Sequence, residues 1–452
     1  MSVGLEIRDP IHGFIHRMPH EQGIVDCPTF QRLRKLKQLA LANLVYPGAN
    51  HTRFDHSLGA FHVASRMASV LGIDDANQRI IRLAALLHDV GHGPFSHVSE
   101  PILKKHSASR VELKPKQQVH ELITAQIIRE DQHLARLILE DDREQVIRLL
   151  GGSGSFKLFQ EIVSGPMDAD KQDYLLRDNY FCGVKYGLYD IDRLLNSLKV
   201  HEDAEDRYLA LTMDGIHVLE QFVLAKYYMT TQVYRHRIRL ITDKMIWRAI
   251  DLGIEVDKIE WLKSLYTYDS TPAFLEEYKS WNDDRFTTKI LEERDTTYAY
   301  SIFRRLVERR LLKCIFDVSP KDFRDSNSVM RIFAEDEDEE LHRKLETAIA
   351  ARWDFDKNLV ICNRITFKSA MHTESEVLVI QVGKEPSFFK EESILFSAVD
   401  QAIHEQRFQI YAPVLYSDER DKKHKKVEFA TEILAMINGL VNQAAGVSEE
   451  RP

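Results

Sequence analysis

Residues 83–97 read LAALLHDVGHGPFSH. An apolar run at helical spacing ends on adjacent His88 and Asp89, and Gly91, Gly93 and Pro94 then stop the helix. An imidazole beside a carboxylate at the end of a buried helix is a donor pair for a divalent cation, and the tight turn beyond it leaves room for a substrate. Alone, the pair has an ordinary explanation as well, because a histidine at a helix C-terminus meets the macrodipole favourably. Two more residues tip the balance. His56, in HTRFDHSLG, opens the preceding helical run, and Asp170, in SGPMDADKQDYLLRD, stands just before a later one. His56, His88, Asp89 and Asp170 form an H…HD…D pattern, a mixed nitrogen and oxygen shell that suits Mn, Mg, Fe or Zn without choosing among them.

Side chains of this kind need helices to present them. From about residue 28 to 260 the apolar residues recur mostly at helical spacing, as in Phe30, Leu33, Leu36 and Leu39 and again in Ile80, Leu83, Leu86 and Leu87. The stretch IHVLEQFVLAKYYMTTQVYRHRIRLITDKMIWRAI predicts one long or kinked helix. The opening LEIRDPIHGFIHR predicts a short hairpin. A break is expected near residues 266–295, and beyond 356 the runs NLVICNRITFK and SEVLVIQVG have strand character. VEFATEILAMINGL closes the chain as an amphipathic helix, with frayed residues after it. The expected class is mainly α: a helical bundle over residues 1–290, its core at about 50–180, and a smaller α+β C-terminal lobe over 291–452.

The bulk properties exclude several classes. No apolar run is long enough to cross a bilayer, and the first residues lack the pattern of a secretory signal, so a cytoplasmic protein is expected. Cys27, Cys182, Cys314 and Cys362 are scattered, with no CxxC pair, and are expected to be reduced. A formal charge of −9 argues against nucleic-acid binding over the whole surface and favours a small anionic ligand in a local basic pocket. Opposite charge runs at residues 335–340 (EDEDEE) and 422–426 (KKHKK) read first as solvated surface.

The blocks DPIHG, TFQRLRKLKQL, YPGANHTRFDHSLG, LLHDVGHGPFSH, His120-Glu121 and DADKQDYLLRD, in that order, resemble the HD-domain superfamily and, within it, the deoxynucleoside triphosphate triphosphohydrolases. The resemblance covers roughly residues 5–240. It implies that His56, His88, Asp89 and Asp170 hold a metal and that His92, His97, Glu100 and His120 form the catalytic group beside the α-phosphate. Glu100 stands where the family has an aspartate, which keeps the carboxylate and lengthens its reach. Such a carboxylate can hold His120 protonated as a proton donor to the leaving oxygen.

Arg53, Lys171 and the basic residues of the loop 104–116 (Lys104, Lys105, Arg110, Lys114, Lys116) are candidates for phosphate binding. The resemblance further implies that Tyr174 packs on the sugar, that Gln38 and Asp178 bind its 3′-hydroxyl, and that Tyr234 lines the pocket. Asp26, Gln31 and Arg34 match the family's regulatory guanine-nucleotide site, although Leu5 falls about where a lysine is expected. Ordinary readings stand beside these: core histidines for His92 and His97, aromatic packing for Tyr174 and Tyr234, and bracing of a helix after Pro28 for the regulatory residues.

The implied reaction is metal-dependent hydrolysis of deoxynucleoside triphosphates to deoxynucleoside and inorganic triphosphate, by a homo-oligomer (dimer or tetramer) with allosteric activation by a bound nucleotide. Three alternatives come from other classes: an HD-type phosphodiesterase or nuclease, a triphosphohydrolase of other nucleotides, and a nucleotide-sensing scaffold. Nucleic acid as substrate is disfavoured, because no aromatic ladder is interleaved with basic residues.

Overall fold

The structure is a computed structural model that describes residues 5–107, 111–114, 117–153, 157–204, 206–323, 326–333, 339–366, 373–396 and 406–444. Arg110, Lys116, residues 335–338 of the acidic run and the closing residues 445–452 lie outside the described residues. The chain divides into two compact units, Met1–Arg239 with Gly253–Glu293 and Ala370–Gln401, and Leu240–Leu252 with Arg294–Ser369 and Ala402–Pro452. Each unit is therefore assembled from separate stretches of sequence, where a single boundary near residue 290 was expected.

The first unit is a helical bundle. Helix Asp75–Leu87 begins at Asp74, whose carboxylate accepts the Asn77 N–H, and it buries Ile80, Ile81, Leu83, Ala84, Leu86 and Leu87. Helix Arg53–Val70 packs along it and begins with a reciprocal cap between Thr52 and Asp55. Helix Ala169–Cys182 starts at Asp168, which accepts the Lys171 N–H at 2.7 Å, and ends at Gly183 in the left-handed region (φ +68°). Helix Val119–Glu130 completes the set that bears the chemistry. The expected hairpin is present, Leu5–Asp9 antiparallel to Gly13–Arg17.

Two expectations need correction. The span 28–260 is not helical throughout: Leu198–Glu202 and Arg207–Thr212 pair antiparallel, and the latter pairs parallel with Leu378–Ile380. That last partner lies far along the chain, where local periodicity carries no signal. The break at 266–295 holds two helices, Pro272–Lys279 and Asp283–Leu291, capped by the side chains of Thr271 and Asn282. Their apolar residues Phe274, Leu275, Tyr278, Phe286 and Ile290 are buried. The stretch read as one long or kinked helix takes the kinked form, Ile216–Tyr228 and Arg237–Glu255 joined through a π-helical turn over Met229–Tyr234.

In the second unit the strand Gln406–Ala412 lies between Lys313–Val318 and Ile361–Thr366, antiparallel to both. Helices Glu339–Trp353 and Glu419–Ala444 supply Leu345, Ile349, Phe429, Ile433 and Ile437 to a core with Phe408 and Ile410. The basic run 422–426 lies in the first turns of Glu419–Ala444, where Lys422 pairs with Glu419 and Lys425 with Asp421, as a solvated helix face would. None of the four cysteines is in a disulfide, and no helix among the described residues is long and apolar enough to cross a membrane.

Candidate metal centre and active site

Helix termini bring the H…HD…D residues together. The cap at Thr52 places His56 in the first turn of its helix, His88 is the C-cap of Asp75–Leu87, and Asp170 lies in the first turn of Ala169–Cys182. Ligand atoms of His56, His88 and Asp170 lie within 4.8 Å of one another. His56 Nε2 is 2.9 Å from Asp170 Oδ1 and 3.8 Å from Asp89 Oδ2, and His88 Nε2 is 3.4 Å from Asp89 Oδ1 and 3.7 Å from Asp170 Oδ1.

The opposite ring nitrogens are anchored. His56 Nδ1 is 2.8 Å from Asp173 Oδ2, and His88 Nδ1 is 2.8 Å from the Ala85 carbonyl, so each ring donates from Nδ1 and turns Nε2 inward. Both Nε2 atoms are buried without a well-directed hydrogen bond. Two orphaned nitrogens facing two carboxylates fit a divalent cation.

The electrostatics demand positive charge at this point. Burial opposes a charged His56, but Asp170 and Asp173 outweigh it and raise the ring to about 10. His88 is raised in the same way by Asp89 and Asp170 against its burial. Burial would raise Asp89, yet Arg53 (Nη1 to Oδ2, 2.6 Å), His88 and His92 hold it well below the usual carboxylate range. Asp170 is likewise held below that range by the two imidazoles despite its burial.

A second set of imidazoles lies alongside. His92 and His120 stack with centroids 4.0 Å apart, and His97 stands edge-on, 4.6 Å from His92 and 5.6 Å from His120. Glu100 reaches His120 despite the changed residue type: Oε2 is 2.9 Å from Nδ1, while Oε1 accepts the Val119 N–H at 2.5 Å. His92 Nε2 lies 3.3 Å from Asp89 Oδ1, which joins this set to the first. Burial and the Arg53 charge, with His120 adding to it, hold His92 well below the usual imidazole range. His97 is open to solvent on one side, but enclosure of the rest of its ring and the same two charges depress it too.

The glycine turn makes this proximity possible. A Cβ at Gly91 would lie 2.3 Å from the His120 carbonyl oxygen, and one at Gly93 would lie 2.5 Å from the Tyr278 hydroxyl. Phe95 and Ser96 then adopt positive φ, 61° and 55°. Asp283 holds that backbone by accepting the Phe95 N–H at 2.8 Å, and Ser96 Oγ donates to the Lys37 carbonyl at 2.9 Å.

Next to His56 lies a tyrosine–aspartate group. Tyr174 is 6.4 Å from the His56 ring and 6.1 Å from Tyr234. The Tyr234 hydroxyl donates to Asp178 Oδ2 at 2.7 Å, and Asp178 Oδ1 is 2.7 Å from His51 Nε2. The backbone N–H of Gln38 donates to the His51 carbonyl at 3.1 Å, so Gln38 joins the same group. Arg53 is buried against Asp89 and Ser96, but its Nη2 is unpartnered. Lys171 is drawn to Asp168 at 2.5 Å and to the Gly165 carbonyl at 2.9 Å. Lys104, Lys105 and Lys114 are exposed.

The three regulatory candidates fall elsewhere. Asp26 meets Gln22, Gln31 donates to the Val25 carbonyl, and Arg34 donates to Gln31 while lying 3.5 Å over the Phe54 ring. These contacts brace the helix Pro28–Gln31 and the turn after it.

Sequence reasoning passed over Asp173, Arg177, His12 and His51, which hold the site residues in place. Asp173 and Arg177 had a local signal, since they follow Asp170 at three and seven residues on one helix face. His12 and His51 had none, because their partners are distant in sequence.

Residues 53–174 match the HD domain, and residues 189–432 match the HD associated region. An uncharacterized protein of Methanocaldococcus jannaschii is 34% identical over 318 residues, 68% of this chain and 64% of that one. The human deoxynucleoside triphosphate triphosphohydrolase SAMHD1 is 30% identical over 350 residues, 70% of this chain and 55% of that one. The matched region thus spans less than two thirds of either relative. A hypothetical protein from Aquifex aeolicus has a crystal structure that superposes with a TM-score of 0.69 at 25% identity, covering 94% of this chain and 99% of that one. A phosphohydrolase from Bacteroides thetaiotaomicron shares the fold, with a TM-score of 0.72 at 24% identity over 90% of this chain and 99% of that one. A domain of this kind continuing into its associated region accounts for about four fifths of the sequence, and the chain belongs to the HD-domain phosphohydrolase family.

Proposed function

We propose that the protein hydrolyses deoxynucleoside triphosphates to deoxynucleoside and inorganic triphosphate, with His56, His88, Asp89 and Asp170 holding the divalent metal. The observation that carries this reading is that the metal ligands adjoin two further groups, the imidazole set of His92, His97 and His120 through Asp89 and the Tyr174–Tyr234–Asp178 group through His56. The likeness to SAMHD1, a deoxynucleoside triphosphate triphosphohydrolase by name, supports the substrate class.

When bound, the metal supplies a Lewis acid for an α-phosphate oxygen. The protein's side chains do the rest. Arg53 Nη2, buried and unpartnered, is placed to take a phosphate oxygen. Water attacks the α-phosphorus and releases a proton to solvent, and the bond to the 5′-oxygen breaks. His120, oriented by Glu100 at Nδ1, donates the proton that the departing oxygen takes. His97 is held neutral and suits that role less well. Tyr174 and Tyr234 form a rigid aromatic wall for the sugar, and a wall close to C2′ rejects ribose by steric exclusion. Asp178, already shared by His51 and Tyr234, is a fixed acceptor for the 3′-hydroxyl.

The test is to incubate the purified protein with Mn or Mg and each deoxynucleotide, singly and mixed, and to resolve products by anion-exchange chromatography. Deoxynucleoside plus triphosphate, absent with the His88→Ala/Asp89→Ala variant, is the expected result. Turnover only in mixtures, lost in Arg34→Ala, supports activation through Asp26, Gln31 and Arg34, and a light-scattering mass of two or four chains supports a homo-oligomer. Release of monophosphates from an oligonucleotide, with no triphosphate from any deoxynucleotide, overturns the reading in favour of a phosphodiesterase.

A further inference from the structure

A buried chain of side chains runs from the N-terminal hairpin to the proposed metal ligands. In the hairpin turn, Asp9 Oδ1 accepts the N–H groups of Ile11 and His12, each at 2.9 Å. His12 Nε2 lies 2.7 Å from Asp173 Oδ1, and the second oxygen of the same carboxylate lies 2.8 Å from His56 Nδ1. Arg177 braces Asp173 through Nε and Nη2, both at 2.9 Å, and returns to the hairpin through Nη1 to Asp9 Oδ2 at 2.8 Å. The side chains of Asp173, His56 and Arg177 are fully inaccessible, and that of His12 is 3% exposed.

Ionised groups buried this deeply are tolerated only when their polar atoms are matched, and the packing around Asp173 is fitted to it. A Cβ on Gly59 would lie 1.8 Å from Asp173 Oδ1, so the helix Arg53–Val70 omits a side chain where this carboxylate lies against it. The carboxylate in turn sets the His56 tautomer. An imidazole that donates from Nδ1 to Asp173 keeps the Nε2 lone pair directed at Asp89 and Asp170, the orientation a metal ligand needs.

We propose that the N-terminal hairpin is a working part of the metal centre: His12, acting through Asp173, is a positioning residue for His56, and hairpin docking and metal binding strengthen each other. The proposal rests on the metal reading of His56. Reciprocity follows from linkage, since whatever hairpin docking adds to metal affinity, the metal adds to hairpin docking.

The experiment measures Mn affinity of the full chain by competition with a chromophoric chelator, and amide hydrogen exchange over residues 5–17 with and without Mn. Asp173→Asn is expected to weaken Mn binding by about 10–100-fold and His12→Ala by roughly tenfold. His12→Gln, whose amide nitrogen can occupy the place of Nε2, is expected to recover part of the loss. In the wild type, Mn slows exchange in the hairpin; in His12→Ala it does not. Equal Mn affinity in all four proteins, or hairpin exchange in the wild type indifferent to Mn, overturns the proposal. If Asp173→Asn does not fold, the two His12 variants and the wild-type exchange still decide. A wild type that takes up no divalent cation overturns the metal reading itself, whereas one that binds Mn with an indifferent hairpin overturns only the coupling.

Discussion

Two groups of imidazoles lie side by side in this protein, and their surroundings give them opposite chemistry. His56 and His88 face Asp89, Asp170 and Asp173, which raise both rings although burial works against it. His92 is buried and His97 solvent-exposed beside Arg53 and His120, and both are pushed well below the ordinary imidazole range. One residue type thus supplies a place that attracts positive charge and a place that refuses it. Asp89 stands between them, 3.4 Å from His88 Nε2 and 3.3 Å from His92 Nε2. Environment rather than residue identity sets these two states a few ångströms apart.

The comparison breaks most completely if the carboxylate side is removed. His88→Ala combined with Asp89→Ala is expected to abolish metal uptake. A bound metal supplies several kcal/mol of charge stabilisation, so at ~1.4 kcal/mol per decade turnover falls by at least about 10³-fold. Metal analysis and a product assay on the same preparation check this. His120→Ala acts on the other side: it leaves metal uptake intact and lowers kcat by about 10²–10⁴-fold, the usual range for a positioned proton donor. Glu100→Gln gives a smaller loss with the same retained metal. Metal loss in His120→Ala would mean that the two groups are one coordination sphere.

The residues at helix termini were legible because their signals are local. An HD doublet at the end of an apolar helix, followed by glycines, and acidic or imidazole groups at two helix starts point to one place before any fold is known. Of the residues that orient them, only Asp173 and Arg177 left a local signal, on the helix face of Asp170. His12 meets Asp173 across 161 residues and His51 meets Asp178 across 127, and no periodicity links such pairs. The strand Leu378–Ile380 belongs to the first unit beside Arg207–Thr212, while Ile361–Thr366, of similar texture, belongs to the second. Strand character can be read from β-branched runs, but the choice of sheet is made by long-range packing.

A smaller effect is expected where the two imidazole groups are spaced. Gly91 lets the helix bearing His120 approach the turn after Asp89, since a Cβ there would meet the His120 carbonyl at 2.3 Å and the Thr124 N at 2.5 Å. Gly91→Ala forces the backbone apart, with a typical overpacking cost of about 1–3 kcal/mol. Displacement of His120 by about 1 Å can lower kcat by roughly 10²-fold. Metal affinity should fall less than kcat, because His56 and Asp170 lie on other elements and only His88 and Asp89 adjoin the turn. Thermal unfolding and steady-state kinetics on metal-loaded protein separate the two effects.

The smallest change, and the sharpest on the contrast itself, concerns protonation. The folded pKa of His97 is depressed, whereas its unfolded value is about 6.5, so above that pH both states are neutral and the group contributes nothing to pH-dependent stability. Below about 6.5 the unfolded chain binds a proton that the folded one refuses, and stability falls as the pH falls toward the folded value. His97→Gln removes that proton uptake, so the variant is expected to lose less stability than the wild type between pH 6.5 and 5. Denaturant unfolding of metal-free protein at several pH values measures the difference, and ring ¹⁵N shifts assign it to His97. A His97 ring that becomes charged near pH 6.5 would mean that Arg53 and His120 do not set its protonation, and the contrast between the two groups would then rest on His92 alone.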